Sequence, residues 1–101
     1  MLMELTIVPM GRGESVSSDL ADVLKIIDGS GLDYQLTSTA TNVEGKWDQL
    51  LNLARRCHEE VRKKSKRVVT TIKIDDYDER SSRLRATVKS VEEKVGKPLR
   101  K

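Results

Sequence analysis

Phenylalanine is absent from this chain of 101 residues, whose aromatic side chains are one tryptophan and two tyrosines. A core without aromatic bulk must be built from Leu, Ile and Val, and a chain of this length has room for one such core. Charged residues make up 35% of the chain, above the ~25% usual in globular domains. The sequence therefore predicts a single domain, residues 1–101, with a thin core that shares apolar surface with a second subunit.

Cysteine and histidine are scarce as well, with one of each, Cys57 and His58. A single cysteine cannot form an internal disulfide. Neighbours on a helix point about 100° apart, so these two cannot bind one metal ion from one face. A catalytic cysteine would need a histidine on a different segment, which the chain lacks, and a Ser-His-Asp triad would have to use His58. We expect a packed thiol, a surface imidazole, no metal, no cofactor and no catalysis.

Long apolar runs are also missing, which excludes a transmembrane span. The segment Met1–Pro9 is too short for a signal peptide and carries Glu4. We therefore expect a cytoplasmic protein without membrane contact. The positive charge is uneven, since residues 80–101 hold eight basic and two acidic side chains. Solvated helix faces are the favoured interpretation of this charge, and a nucleic-acid or membrane patch is the alternative.

Alternating and helical apolar spacings predict the elements of the chain. Residues 3–9 alternate as a strand closed by Pro9, and residues 16–27 follow helical spacing. Ser15, Ser17 or Ser18 can cap that helix, while Asp19 and Asp22 suit its positive end. Residues 33–45 favour a hairpin over one long strand. A long helix follows from Trp47, then a strand over 67–75 and a final helix whose stripe is Leu84, Val88, Val91 and Val95.

The order β-α-β-β-α-β with an extra C-terminal helix predicts a ferredoxin-like α+β sandwich with an antiparallel sheet. Each strand has one strongly apolar side, so both main helices must cover the same sheet face. The other face is expected to show Glu4, Thr6, Gln35, Thr37, Thr71 and Lys73. We expect a sister molecule to close that face, and the narrow stripe of the last helix to dock on a neighbouring subunit.

A cluster of polar side chains after the second strand is the strongest candidate site. The cluster is interpreted either as the polar surface of an edge strand or as a pocket for a flat heterocycle. Its members are Thr37, Ser38, Thr39, Thr41, Asn42 and Glu44. Trp47 is either a core residue or a ring that stacks on the ligand. Ser17 joins the candidate set. The segment Gly11-Arg12-Gly13 is interpreted as a turn or as part of the rim of a ligand-binding site. The segment Asp75–Glu79 is interpreted as a charged turn rather than as a loop that binds a divalent cation.

Several segments resemble a small family of thiamine-binding proteins. The most specific is Arg67–Asp76 (RVVTTIKIDD), supported by residues 89–94, 34–37, 43–45, 9–11 and 15–17. The resemblance implies a ferredoxin-like fold, subunits paired through their sheets, homodimers that assemble into homotetramers, and binding of thiamine or its hydroxymethylpyrimidine part.

Thiamine joins an aminopyrimidine to a cationic thiazolium, and the candidate residues can be matched to both halves. Thr37, Ser38, Thr39 and Asn42 are expected to hydrogen-bond the pyrimidine. Trp47 can stack on a ring, and Glu44 can offset the positive charge. The predicted function is a non-catalytic binding protein for a thiamine-like ligand at or near a subunit interface.

Two other functions remain as alternatives. A nucleic-acid-binding module of this topology stacks bases on aromatic side chains of its central strands, and the equivalent positions here, among them Thr6, Val69 and Thr71, carry no ring. A purely structural or regulatory oligomeric module would use the hydroxyl-rich face as an interface only.

Overall fold

The computed structural model describes residues 1–11, 13, 16–78 and 83–101, with Val16 placed in its backbone alone. Its elements are β1 (Leu2–Met10), α1 (Val16–Gly29), β2 (Asp33–Leu36), β3 (Thr41–Glu44), α2 (Trp47–Arg62), β4 (Arg67–Asp75) and α3 (Ala86–Val95). This is the order that the apolar spacing predicts, including the hairpin. Arg12, Ser15 and Glu79, which entered the loop, cap and turn predictions, lie outside the described residues.

The four strands form one antiparallel sheet in the order β2-β3-β1-β4. In the centre, β1 pairs with β4 from Leu2 to Met10 but with β3 only from Leu2 to Leu5. Within the described ranges, this unequal pairing leaves the second half of β1 without a strand neighbour on the β3 side. The architecture is the predicted ferredoxin-like α+β fold.

Pro9 does not close the first strand, which continues through it to Met10. The expected boundary is therefore wrong by one residue. Pro9 lies opposite Val68, in the half of β1 that has β4 as its only strand neighbour. A proline is accepted there because a strand with one partner needs hydrogen-bond donors on one side only.

The core lies between the sheet and the two long helices. Both helices cover the face of β1 that carries Met3 and Leu5, as the one-sided strands require. The buried hydrophobic cluster contains no aromatic ring and consists of Met3, Leu5, Val23, Ile27, Val43, Leu50, Leu53, Ala54, Cys57 and Val61. Trp47 does not belong to it, because this first residue of α2 is 54% exposed. Among the helices that the described ranges contain, none has the length and apolar character needed to cross a bilayer.

The other sheet face is polar in the predicted way along its inner strands. The register places Glu4 between Asn42 and Lys73, and Thr6 opposite Thr71. Thr37 differs from the prediction, because β2 ends at Leu36 and Thr37 opens the turn to β3.

The helix α3 is tied to its own sheet at its start and exposed further along. Leu84 is buried, and the guanidinium of Arg85 pairs with Asp33 at 2.6 Å. Val91 and Val95 remain exposed. Gly96 ends the helix at a positive φ of 90°, which glycine adopts without strain, and its N–H donates to Glu92 O.

Candidate functional site

A cleft of about 120 Å³ opens between α1 and the turn that joins β2 to β3. It arises from the unequal pairing of β1, since β3 begins beside Leu5 and leaves Thr6 and Ile7 without a strand partner on that side among the described residues. The cleft is lined by Leu5, Thr6, Ile7, Pro9, Asp19, Leu20, Val23, Leu36, Thr37, Ser38, Thr39, Ala40, Thr41 and Val61. Its walls are aliphatic, and its polar groups are threonine and serine hydroxyls and one carboxylate.

The turn over residues 37–40 holds one wall of the cleft in place. The Thr37 N–H donates to Ala40 O at 2.8 Å. The Thr37 hydroxyl donates to the same oxygen at 2.8 Å and accepts from the Ala40 N–H at 3.2 Å. The Thr6 hydroxyl of β1 donates to Thr39 O at 3.3 Å. The Thr37 hydroxyl therefore closes the turn, while Ser38 and Thr39 carry their hydroxyls at its exposed tip.

Asp19 also lines the cleft. The sequence pattern placed this residue only at the positive end of α1 and did not indicate a part in the site. Its side chain lines the cleft and is 2% exposed. The position shares a stripe with Val23 and Ile27, which follow at intervals of four residues and are both buried. The spacing of Asp19 with these two buried residues was the sequence signal that could have predicted its burial.

The structure divides the predicted site residues among several places. Thr37, Ser38 and Thr39 line the cleft, whereas Ser17 is exposed in the first turn of α1 and is not part of its lining. Asn42 lies on the opposite sheet face, beside Glu4, where it lines a second and wider cleft together with Thr37 and Ser38. The geometry thus brings the hydroxyl cluster together and separates it from Ser17, Glu44 and Trp47.

Glu44 lies at the far end of β3 and has a set of partners that the sequence did not indicate. Its carboxylate accepts hydrogen bonds from the Tyr77 hydroxyl at 2.8 Å, the Arg83 N–H at 2.8 Å and the Leu84 N–H at 3.2 Å. Burial, followed by the hydrogen bond to this carboxylate, raises the pKa of Tyr77. Glu44 therefore anchors the chain leading into α3. Trp47 also follows this end of β3, so neither residue lines the cleft.

Cys57 is the packed thiol that was expected, whereas His58 is partly buried rather than a surface imidazole. Cys57 is fully buried, and desolvation raises the pKa of its thiol to about 11. His58 is partly buried, with its Nδ1 2.6 Å from the Thr70 hydroxyl. Within the described part of the chain, no group of three or more His, Cys, Asp or Glu side chains is arranged to hold a metal ion.

A sequence model of the thiamine-binding protein family matches residues 3–92. The chain belongs to the thiamine-binding protein family. The matched range includes β1 from Met3 onward, the other three strands, both long helices and the residues that line the cleft.

Similar proteins agree with this family membership. The UPF0045 protein YqgV of Bacillus subtilis is 35% identical over 96 residues, which cover 89% of this chain and 92% of YqgV. The crystal structure of MJ1052 from Methanocaldococcus jannaschii superposes with a TM-score of 0.83 at 26% identity, over 91% of this chain and 95% of that one.

A further solved structure shares the fold at lower sequence identity. A Thermotoga maritima protein, provisionally described as a thiamine biosynthesis/salvage protein, has a TM-score of 0.77 at 18% identity, over 89% of this chain and 96% of that one.

Proposed function

We propose that this protein is a non-catalytic cytoplasmic binding protein for thiamine or its aminopyrimidine part, which enters the cleft between α1 and the 37–40 turn. The observation that carries the proposal is the cleft itself, in a chain of the thiamine-binding family. Aliphatic walls suit the faces of a heterocycle, and the hydroxyl-bearing residues and the carboxylate residue of the lining suit its polar edge.

The size of the cleft indicates which half of thiamine it takes. Ligand pockets commonly have volumes of about 300–1,000 Å³, whereas a cavity of roughly 150 Å³ holds a benzene-sized ring. The cleft, at about 120 Å³, is smaller than either figure, so it can take at most one ring and must leave the rest of thiamine at its open mouth. The aminopyrimidine is the half with hydrogen-bonding groups on its edge, so we place it inside and the cationic thiazolium at the mouth.

Calorimetric titration with thiamine tests the proposal, with a variant that fills the mouth of the cleft. Leu20 lines the cleft and is 44% exposed, so Leu20→Trp is expected to fold and to weaken thiamine binding by roughly 10-fold or more through steric overlap. Val91→Trp is the matched control, because Val91 is 45% exposed on α3, away from the cleft. Heat from the unmodified protein no different from that of buffer would reject thiamine as the ligand.

A second pair of variants separates the cleft from the site that the sequence suggested around Glu44 and Trp47. Because these residues lie at the other end of β3, Glu44→Gln and Trp47→Ala should leave the thiamine affinity within about 2-fold. Affinity lost in either variant and retained in Leu20→Trp would move the site to that end.

The proposed assembly is a homodimer or homotetramer joined through the open sheet face. Val8 of β1 and Val69 of β4 lie opposite each other on that face, and both are exposed. Met10, two residues after Val8 on the same face of β1, is exposed as well. Exposed apolar side chains on a sheet face favour association. Val69→Asp should convert an oligomer to monomers in light scattering. A monomeric unmodified protein at micromolar concentration would reject this part of the proposal.

Neither alternative function gains support from a particular contact. Among the described residues of the open face, the strands present Thr6, Val69, Thr71 and Lys73 and no aromatic ring on which a base could stack. Salt-sensitive retention of single-stranded RNA would favour the nucleic-acid alternative. A thermal-shift screen without any ligand response, together with an oligomer that Val69→Asp disrupts, would favour the structural module.

A further inference from the structure

A buried carboxylate in the wall of a small cleft is the feature that the thiamine proposal leaves without a specific task. Asp19 is 2% exposed, and the side chains that line the cleft with it include Val23 and Val61, both aliphatic and buried. Burial of a carboxylate is costly unless hydrogen bonds compensate it. Asp19 makes contacts within the protein. A carboxylate accepts about four hydrogen bonds, so ligand contacts are compatible with those contacts.

The depth of Asp19 orients the ligand. Leu20 and Leu36, which line the same cleft, are 44% and 52% exposed and therefore mark its mouth. Asp19 and the neighbouring Thr41 are almost fully buried and mark its inner end. A ring that enters between the two leucines thus meets the carboxylate with its leading edge.

We propose that Asp19 is the specificity-determining residue of the cleft and selects rings that carry an amino group beside a protonated ring nitrogen. This inference rests on the proposed function. Such an amidinium edge, which forms when the ring nitrogen beside the amino group takes a proton from solvent, presents two parallel N–H donors that match two carboxylate oxygens in the way that a guanidinium does. A ring with a carbonyl in place of the amino group has one N–H donor and one acceptor on that edge, so its carbonyl faces one carboxylate oxygen and is repelled.

The test compares two ligands, hydroxymethylpyrimidine with its amino group and the oxo counterpart in which a carbonyl replaces that group. Calorimetry with the unmodified protein should give roughly 10- to 100-fold tighter binding of the amino compound. Asp19→Asn should reduce this preference to within about 3-fold, because a carboxamide can donate to the carbonyl as well as accept from an amino group. Asp22→Asn is the matched control. It removes a charge from the same helix outside the cleft and should keep the full preference.

The possible outcomes separate this inference from the proposed function. Thiamine binding with an unchanged amino-over-oxo preference in Asp19→Asn overturns the role of Asp19 and leaves the proposed function standing. An unmodified protein that binds neither pyrimidine nor thiamine overturns both. If Asp19→Asn fails to fold, the unmodified protein decides alone, since equal affinity for the amino and oxo compounds contradicts selection by a carboxylate.

Discussion

The hydrogen bond between Tyr77 and Glu44 is expected to hold the chain that leads into α3 against the sheet, and a double-mutant cycle measures it. The two residues are 33 positions apart, and the carboxylate also accepts the N–H groups of Arg83 and Leu84. Removal of a hydrogen bond to a charged group costs about 1.5–3 kcal/mol when the site is buried. Since both side chains are only partly buried, we expect a coupling of about 1 kcal/mol between them.

The cycle consists of Tyr77→Phe, Glu44→Ala and the double variant, each unfolded in urea and followed by circular dichroism. Glu44→Ala loses all three hydrogen bonds, and we expect it to lower the free energy of unfolding by about 2 kcal/mol. With a denaturant slope of about 1 kcal/mol per molar urea, Tyr77→Phe should lower the midpoint by about 1 M.

Tyr34→Phe provides the control for this cycle, because the Tyr34 hydroxyl donates to Asp28 at the surface, 2.8 Å away. We expect that variant to leave the urea midpoint close to that of the unmodified protein, because an exposed hydrogen bond contributes little to stability. A coupling between Tyr77 and Glu44 below about 0.3 kcal/mol, which is within the additivity of independent sites, would refute the anchoring role.

Three further outcomes follow from burial and charge. Cys57, whose pKa is raised to about 11, should react with Ellman's reagent in urea but not in the native protein at pH 8, where about 0.1% of such a thiol is ionised; rapid native labelling would contradict its burial. Leu50→Ala should cost about 2–5 kcal/mol in urea unfolding because Leu50 is fully buried, whereas Val95→Ala on exposed α3 should cost less than about 0.5 kcal/mol. The pKa of Glu92 is lowered from 4.5 by hydrogen bonds from Lys101 and the Leu99 N–H; the stability it contributes is present above pH 4.5 and lost as the pH falls through the lowered value, so the Leu99 amide resonance should shift in that acid range and stay constant above it.

The fold could be predicted because its signals are local and periodic. Alternation in β1 and β4 and the helical stripes of α1 and α2 each report one buried side of one element. The boundary at Pro9 was missed because its acceptability depends on where β3 stops, which is a property of the assembled sheet. Trp47 begins the apolar stripe of α2, and only the packed structure places it beyond the edge of the core.

The site could be predicted in part. The run of hydroxyls at 37–39 is visible in the sequence, and these residues do line the cleft. Asp19 was overlooked because an acid in the first turn of a helix already has a sufficient explanation in the helix dipole. The task of Glu44 depends on Tyr77, which is distant along the chain, and no local pattern reports such a pairing.

The early end of the β3 ladder beside Leu5 gives the cleft a floor made partly of main chain. Across the described residues, β1 has no ladder partner on that side from Thr6 onward, so the peptide groups of alternate residues, which are directed away from β4, face the space beneath the 37–40 turn. Peptide donors and acceptors are the same whichever side chains a chain carries, apart from the donor that Pro9 lacks. Substitutions can therefore change the side chains that surround a ligand, while the main-chain hydrogen-bonding groups at the floor of the cleft stay the same.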